Sequence, residues 1–152
     1  MSIEQTLSLL AFLAGAVLEH PWALMPLVLA VLVGIVVTSP AGGACESRDP
    51  RRAFTSAERQ EAFSRAGLRC EHKPLLWSRC TNTPTQGDHI YPWARGGRTA
   101  MSNQQALCAF HNSRKSGTVP TRMYIYRLQL RRRRYFPEEA SPQVEWRSGA
   151  AL

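Results

Sequence analysis

Apolar residues run without a charge from Leu7 to Leu18 and again from Trp22 to Val37, with Glu19-His20-Pro21 between the two runs. One continuous helix over 6–37 would measure about 48 Å at about 1.5 Å per residue, well beyond a hydrocarbon core of about 30 Å. Proline forbids an ordinary helix interior and a carboxylate is costly at mid-membrane. The pattern therefore predicts two short membrane spans, 2–18 and 22–38, joined by a tight polar turn. Two other readings stay open. One is a single span formed by the second run. The other is a signal peptide cleaved near Ala14-Gly15-Ala16, which lacks the basic residues that precede the apolar run of such a peptide.

Ser39-Pro40-Ala41-Gly42-Gly43-Ala44 carries turn chemistry and little helix propensity, so it reads as a connector. Beyond it the pattern becomes amphipathic. Thr55-Ser56-Ala57-Glu58 has the form of a capping box, Ala62, Phe63 and Ala66 share one side at helical spacing, and Gly67 supplies a stop; a helix over 56–66 follows. Near the carboxyl end Met123, Tyr124, Ile125, Tyr126, Leu128 and Leu130 precede Arg131-Arg132-Arg133-Arg134. That stretch predicts a helix over 120–135 with Pro120 in its first turn, Pro137 as its stop, one core-facing side and one phosphate-facing side. The divisions expected are a membrane anchor over 1–40, a linker over 41–53, a folded domain over 54–135 and a flexible tail over 136–152.

Charge sharpens this division. All nineteen Lys and Arg, but only nine of the eleven Asp and Glu, lie after residue 45, and no acidic residue stands between Asp88 and Glu138. A small domain with that excess attracts polyanions and displaces counterions from a nucleic-acid backbone. A solvated basic face, or the basic flank of a membrane span, produces the same composition. Arg48, Arg51 and Arg52 follow the second apolar run closely, which by the positive-inside tendency places the carboxy-terminal domain in the cytoplasm.

Four cysteines permit two disulfides in an extracytoplasmic domain. Cys45 stands alone in the connector, however, while Cys70, Cys80 and Cys108 combine with His111, and Cys108 and His111 have the CxxH separation of a zinc knuckle. Three thiolates and an imidazole suit a closed, tetrahedral structural Zn²⁺ with Zn–S near about 2.3 Å. His72 is an alternative to Cys80, although only one residue separates it from Cys70.

Between the cysteines of this set lies Gly87-Asp88-His89-Ile90-Tyr91-Pro92-Trp93-Ala94-Arg95-Gly96-Gly97, followed by Asn103 and by Leu107-Cys108-Ala109-Phe110-His111-Asn112-Ser113-Arg114-Lys115. The joint spacing of two cysteines, DHI, GG, Asn and LCxxHN resembles the HNH family of endonucleases over about residues 54–117. The resemblance implies an α+β fold: a small ββα-metal domain, stapled here by the structural zinc and preceded by one or two transmembrane helices. Its first strand is expected over 85–90, its returning strand over 105–107, and its helix over 110–116, ended by Gly117. Gly96-Gly97 would give turn freedom between the strands.

By the same resemblance His89 is the general base, Asp88 and Asn112 hold one catalytic divalent ion, Mg²⁺ or Mn²⁺, and Asn103 orients the backbone near His89. The chemistry of the residues agrees. An imidazole with an ordinary pKa near ~6.5 accepts a proton at neutral pH, and a carboxylate is a hard ligand for magnesium. Asn112 contributes no charge, so the ion would lean on Asp88, waters and substrate. His111 and Asn112 are neighbours about 100° apart on a helix, so one would serve zinc and the other the catalytic ion, and spacing favours His111 for zinc. Arg95, Arg98, Arg114, Lys115 and Arg131, Arg132, Arg133 and Arg134 are the candidate phosphate contacts.

The expectation is a membrane-held, cytoplasm-facing endonuclease that cuts DNA to 5′-phosphate and 3′-hydroxyl ends without a small organic cofactor. Two rivals use the same residues: a non-catalytic zinc-containing nucleic-acid-binding module at the membrane, and a membrane structural protein whose arginines bind anionic lipid.

Overall fold

The computed structural model describes residues 3–8, 21–40 and 48–146. Contacts divide the chain into two units, Met1–Ser39 and Pro40–Leu152. In the first, residues 3–8 are helical, and a 3-10 turn, Pro21–Leu24, leads into α1, Met25–Thr38. Pro26 falls in the first turn of α1, where its missing N–H leaves no hydrogen bond unmade. At the other end the Thr38 hydroxyl donates to the Gly34 carbonyl (2.7 Å) and the Ser39 hydroxyl to that of Ile35 (2.6 Å), the latter beside the Ser39 N–H bond to the same carbonyl (2.9 Å). No side chain of α1 is buried. Fourteen residues span only about 21 Å, and among the described residues no helix is long and apolar enough to cross a membrane. The expected span over 22–38 is thus shortened by its 3-10 start, while most of the expected span over 2–18 lies outside the described residues, as do Glu19 and His20.

The second unit is a small α+β structure around a two-stranded antiparallel sheet. It opens with α2, Ser56–Arg65, whose capping box forms in full: the Thr55 side chain accepts from the Glu58 N–H and the Glu58 carboxylate accepts from the Thr55 N–H at 2.7 Å. Ala62 and Ala66 are buried, and Gly67 at φ 60° ends the helix. Strands β1, Gln86–His89, and β2, Gln104–Leu107, pair with Gln86 opposite Leu107 and His89 opposite Gln104. β1 stops before Ile90, whose N–H turns to the Asn103 carbonyl (2.7 Å). The two glycines between the strands serve different needs. Gly96 takes φ 90°, whereas Gly97 lies so close to Tyr91 that a Cβ would collide with the Tyr91 carbonyl.

Helix α3, Ala109–Lys115, packs on both strands, and α4, Arg122–Arg132, follows. The expected stop at Gly117 falls one residue earlier: Ser116 takes the positive φ of 46°. Pro120 lies outside α4 because Thr121 is the cap, its hydroxyl accepting from the Tyr124 N–H at 3.1 Å. The helix also ends at Arg132 and does not continue to Tyr135.

The apolar core joins Ile90 and Tyr91 to Ile125 and Leu128 of α4 and to Val144 and Trp146. Residues 140–146, expected in a flexible tail, therefore belong to the fold. Trp146 stacks on Tyr91 (centroids 5.5 Å apart), its carbonyl accepts from the Arg98 N–H (3.0 Å), and Val144 is fully buried. A polar tie crosses the same region. Glu71, 1% exposed, accepts from Arg132 Nε (2.9 Å) and Nη2 (3.0 Å), from the Tyr135 hydroxyl (2.7 Å) and from the Ala106 N–H (2.9 Å). Buried charges persist only when paired and hydrogen-bonded on several sides, and this pair joins the cysteine loop, β2 and α4.

Candidate metal centre and nucleic-acid site

Cys70, Cys80, Cys108 and His111 come from three places in the chain. Cys70 and Cys80 face each other across a loop closed by the bonds from Cys70 N–H to the Asn82 carbonyl (2.8 Å) and from Cys80 N–H to the His72 carbonyl (2.9 Å). Arg69 Nε donates to the Cys80 carbonyl (2.7 Å) and Arg79 Nε to that of Cys70 (2.9 Å), so two guanidinium groups lace the loop from either side. Burial does not hold its tip, where Leu75, Leu76 and Trp77 are exposed. Cys108 precedes α3, and His111 in its first turn points back at it.

The four donor atoms lie within 4.8 Å of one another, with His111 Nδ1 at 3.2 Å from Cys108 Sγ and 3.6 Å from Cys70 Sγ. Tetrahedral Zn–S bonds of about 2.3 Å put ligand atoms nearly 4 Å apart, so this set fits zinc with no open position. Burial pushes the Cys70 thiol up to about 11. Burial alone would also raise Cys108, but the His111 backbone N–H and hydrogen bonds from Cys70, Asn82 and Cys80 bring it below its ordinary value. Metal entry must therefore release a proton from Cys70, which makes uptake weaken as pH falls. His72 stands outside the donor set; its ring stacks on His111 with centroids 3.9 Å apart.

The second site sits at the end of β1. His89 Nε2 lies 3.0 Å from the Thr99 hydroxyl, which itself donates to the Arg51 carbonyl. A hydroxyl has one hydrogen; with it committed to Arg51, Thr99 accepts from His89 Nε2–H, which assigns the free lone pair to Nδ1. Desolvation lowers the His89 pKa below 6.5, opposed by the charge of Asp88 and aided by Lys115. Phe54 packs on the ring at 4.5 Å.

Asn103, fully buried, holds the loop around this imidazole. Its Oδ1 accepts from the Tyr91 N–H (2.8 Å), and its Nδ2 donates to the Tyr91 (3.1 Å) and Arg98 (2.8 Å) carbonyls. One amide thus ties the residue two beyond His89 to the residue just before Thr99. Asp49 reinforces the far side by accepting from the Thr99 N–H (3.0 Å), and the Trp93 indole donates to the Asp49 carbonyl (2.8 Å) while its ring meets the guanidinium groups of Arg48 and Arg52. Thr99, Asp49 and Glu71 carry no motif of their own, and sequence reasoning missed all three. The only signal was that acidic residues are scarce here, so that each one has many cationic suitors.

Asp88 is held by Lys115: Nζ is 2.7 Å from Asp88 Oδ2 and 2.6 Å from the His89 carbonyl. The direct contact from α3 to Asp88 is therefore Lys115, and Asn112 lies one turn earlier on the same helix. A cavity of about 240 Å³ opens beside Asp88 and His89, lined also by Arg52, Trp93, Lys115 and Ser116 but not by Asn112. Of the two expected ligands, Asp88 lines this cavity and offers a hard anionic oxygen, of the kind magnesium and manganese prefer, whereas Asn112 stands outside its lining.

The basic residues divide sharply. Arg95, Arg98, Arg114, Arg133 and Arg134 are exposed. Arg132 is not: it is 1% exposed and spends its guanidinium on Glu71 and on the Gln104 carbonyl (2.7 Å), so it has no surface to offer a phosphate. Arg131 is half-buried.

Residues 70–117 match the family model of the HNH endonucleases. No curated protein and no solved structure matches the chain.

Proposed function

We propose that the chain is a metal-dependent endonuclease that hydrolyses DNA phosphodiester bonds. The observation that carries this reading is the pairing of Asp88 with a desolvated His89 whose free nitrogen is set by Thr99, inside the HNH match and next to a zinc-type cluster that braces α3. Asp88 would hold one magnesium or manganese ion with waters and the substrate phosphate, and Asn112, outside the cavity lining, would serve as a second ligand only after turning toward it. Such an ion neutralises charge on the phosphate and acidifies a water. His89 Nδ1 takes a proton from water as the water oxygen bonds to phosphorus; the bond from phosphorus to the 3′-oxygen breaks and that oxygen takes up a proton from solvent, leaving 5′-phosphate and 3′-hydroxyl ends. Thr99 and Asn103 keep the imidazole fixed as it becomes charged. Lys115, whose ammonium sits on Asp88, would be free to meet the same phosphate if Asp88 held the ion instead. Arg95, Arg98, Arg114, Arg133 and Arg134 steer and hold the backbone without reading bases.

The apolar amino-terminal arm completes the proposal. A chain with no charge from Trp22 to Val37 and with no side chain of α1 buried needs an apolar surrounding, which a membrane supplies, and the arginines that follow favour a cytoplasmic nuclease. A reporter fused after Leu152 should be active only as a cytoplasmic fusion; activity restricted to an external reporter reverses the compartment.

The test of catalysis is plasmid cleavage. Wild type should nick or cut with magnesium or manganese and not with chelator, and His89→Ala should lose roughly 10²–10⁴-fold while keeping its zinc and its DNA binding. Because burial holds the imidazole below its ordinary value of 6.5, the base form survives acidification, and the acid limb of the rate should fall below pH 6.5. A second reading, a non-catalytic binding module, is favoured by one observation, the ammonium of Lys115 on Asp88. It takes over if wild type binds DNA but cuts with neither metal.

A further inference from the structure

A second cavity, of about 340 Å³, lies between α3 and the start of α4. Its floor is Leu107 of β2, its apolar walls are Val119, Pro120 and Tyr124, and His72 closes one side with the ring that stacks on His111. Arg114 and Lys115 stand in its wall, and no acidic residue lines it. Lys115 is shared: it lines this cavity and the one beside Asp88 and His89, and its Nζ is bonded to Asp88. Lys115 thus borders both cavities.

The cavity is therefore apolar and aromatic within and cationic at its edge, where Arg114 and Lys115 stand.

We propose that this cavity receives one nucleobase of the strand whose phosphate lies at Asp88 and His89, unstacked from its neighbours and laid against Tyr124, Leu107 and the His72 ring. The proposal rests on the nuclease reading for the position of the phosphate and adds where the adjoining base goes. A nucleotide is the ligand that is anionic at one end and flat, apolar-faced and acceptor-bearing at the other, and Lys115 is placed to meet its phosphate at the junction of the two cavities. The volume lies in the range of small-molecule sites, about 300–1,000 Å³. Of the hydroxyls in the wall, that of Tyr124 is engaged by Gln105, and Thr118 and Thr121 are too few to distinguish bases. Selection should then fall on strands that can release a base, single-stranded or locally unpaired, rather than on a sequence.

The test compares two probes of equal charge on the full chain without added divalent cation: a twelve-residue oligothymidylate and the same backbone with every base removed. Wild type should bind the thymidylate more tightly, since a stacked base contributes about 1–3 kcal/mol, a factor of roughly 5 to 150. Thr118→Met with Val119→Met fills the cavity without adding a ring. It should lower that preference about tenfold and leave binding of the baseless strand unchanged. His72→Ala, which removes a wall and no zinc ligand, should lower the preference severalfold and decides the matter if the double variant fails to keep its zinc. A preference that neither folded variant lowers, or that wild type lacks, overturns the proposal and leaves the cavity to some other ligand. The outcome is independent of cutting: a preference lost in the filled variant, with no cleavage under magnesium or manganese, keeps the pocket and removes the nuclease.

Discussion

The cysteine cluster and the Asp88–His89 site lie a few residues apart in sequence and are built in opposite ways. In the first, four protein atoms converge within 4.8 Å, the number a closed tetrahedral zinc site needs. In the second, the anionic group is Asp88, the cation held against it is a lysine ammonium, and a cavity of about 240 Å³ opens beside it. A site that must hold its metal through folding closes around it, whereas a site that must exchange water, phosphate and products leaves coordination positions open. The two also differ in what orients them. The cluster is laced by Arg69 and Arg79 to backbone carbonyls, while His89 depends on Thr99, and Thr99 on Asp49 and Arg51.

The comparison is broken most severely from the cysteine side. Cys108→Ser removes one of three thiolates, and because binding of structural zinc contributes on the order of 10 kcal/mol of folding free energy, zinc content and cooperative melting should be lost together. A variant that melts cooperatively without zinc would make the cluster incidental. A smaller effect is expected at the buried pair beneath it. Glu71→Ala leaves Arg132 charged, buried and unpaired, and should destabilise the domain by about 3–5 kcal/mol in chemical denaturation; a loss below about 1 kcal/mol would mean that water reaches Arg132. The smallest effect sorts the arginine run. Arg133→Gln with Arg134→Gln should leave stability unchanged and reduce the slope of log affinity against log salt by about 1.8, two phosphate contacts at about 0.9 each. An unchanged slope would assign these two exposed residues to solvent or lipid.

What could be read in advance follows the range of the interactions. The capping box at Thr55 and Glu58, the CxxH pair and the order of DHI, GG, Asn and HN are local spacings, and a backbone of fixed pitch converts local spacing into geometry. His111 turns back to Cys108 for that reason, whereas the clamp of Asn103 on Tyr91 and Arg98 was legible only through the family resemblance. The Arg131–Arg134 run looks uniform in sequence, yet Arg132 is buried because its partner, Glu71, is sixty-one residues away. Val144 and Trp146 follow a polar, proline-containing stretch that gives no periodic signal, and they enter the core through Tyr91 and Ile90. Thr99 was silent because a single hydroxyl has no pattern. The apolar arm shows the reverse limit. Its hydropathy was plain, but composition did not indicate that Pro21–Leu24 would form a 3-10 turn and leave a helix of fourteen residues.

The division of labour between the two sites is tested most directly by brief chelation of the purified chain, followed by metal analysis and a plasmid assay on the same sample. The account predicts that about one zinc per chain remains, that cleavage disappears, and that magnesium or manganese alone restores it. Cleavage that returns only with added zinc, or zinc that leaves while the domain stays folded, would contradict it.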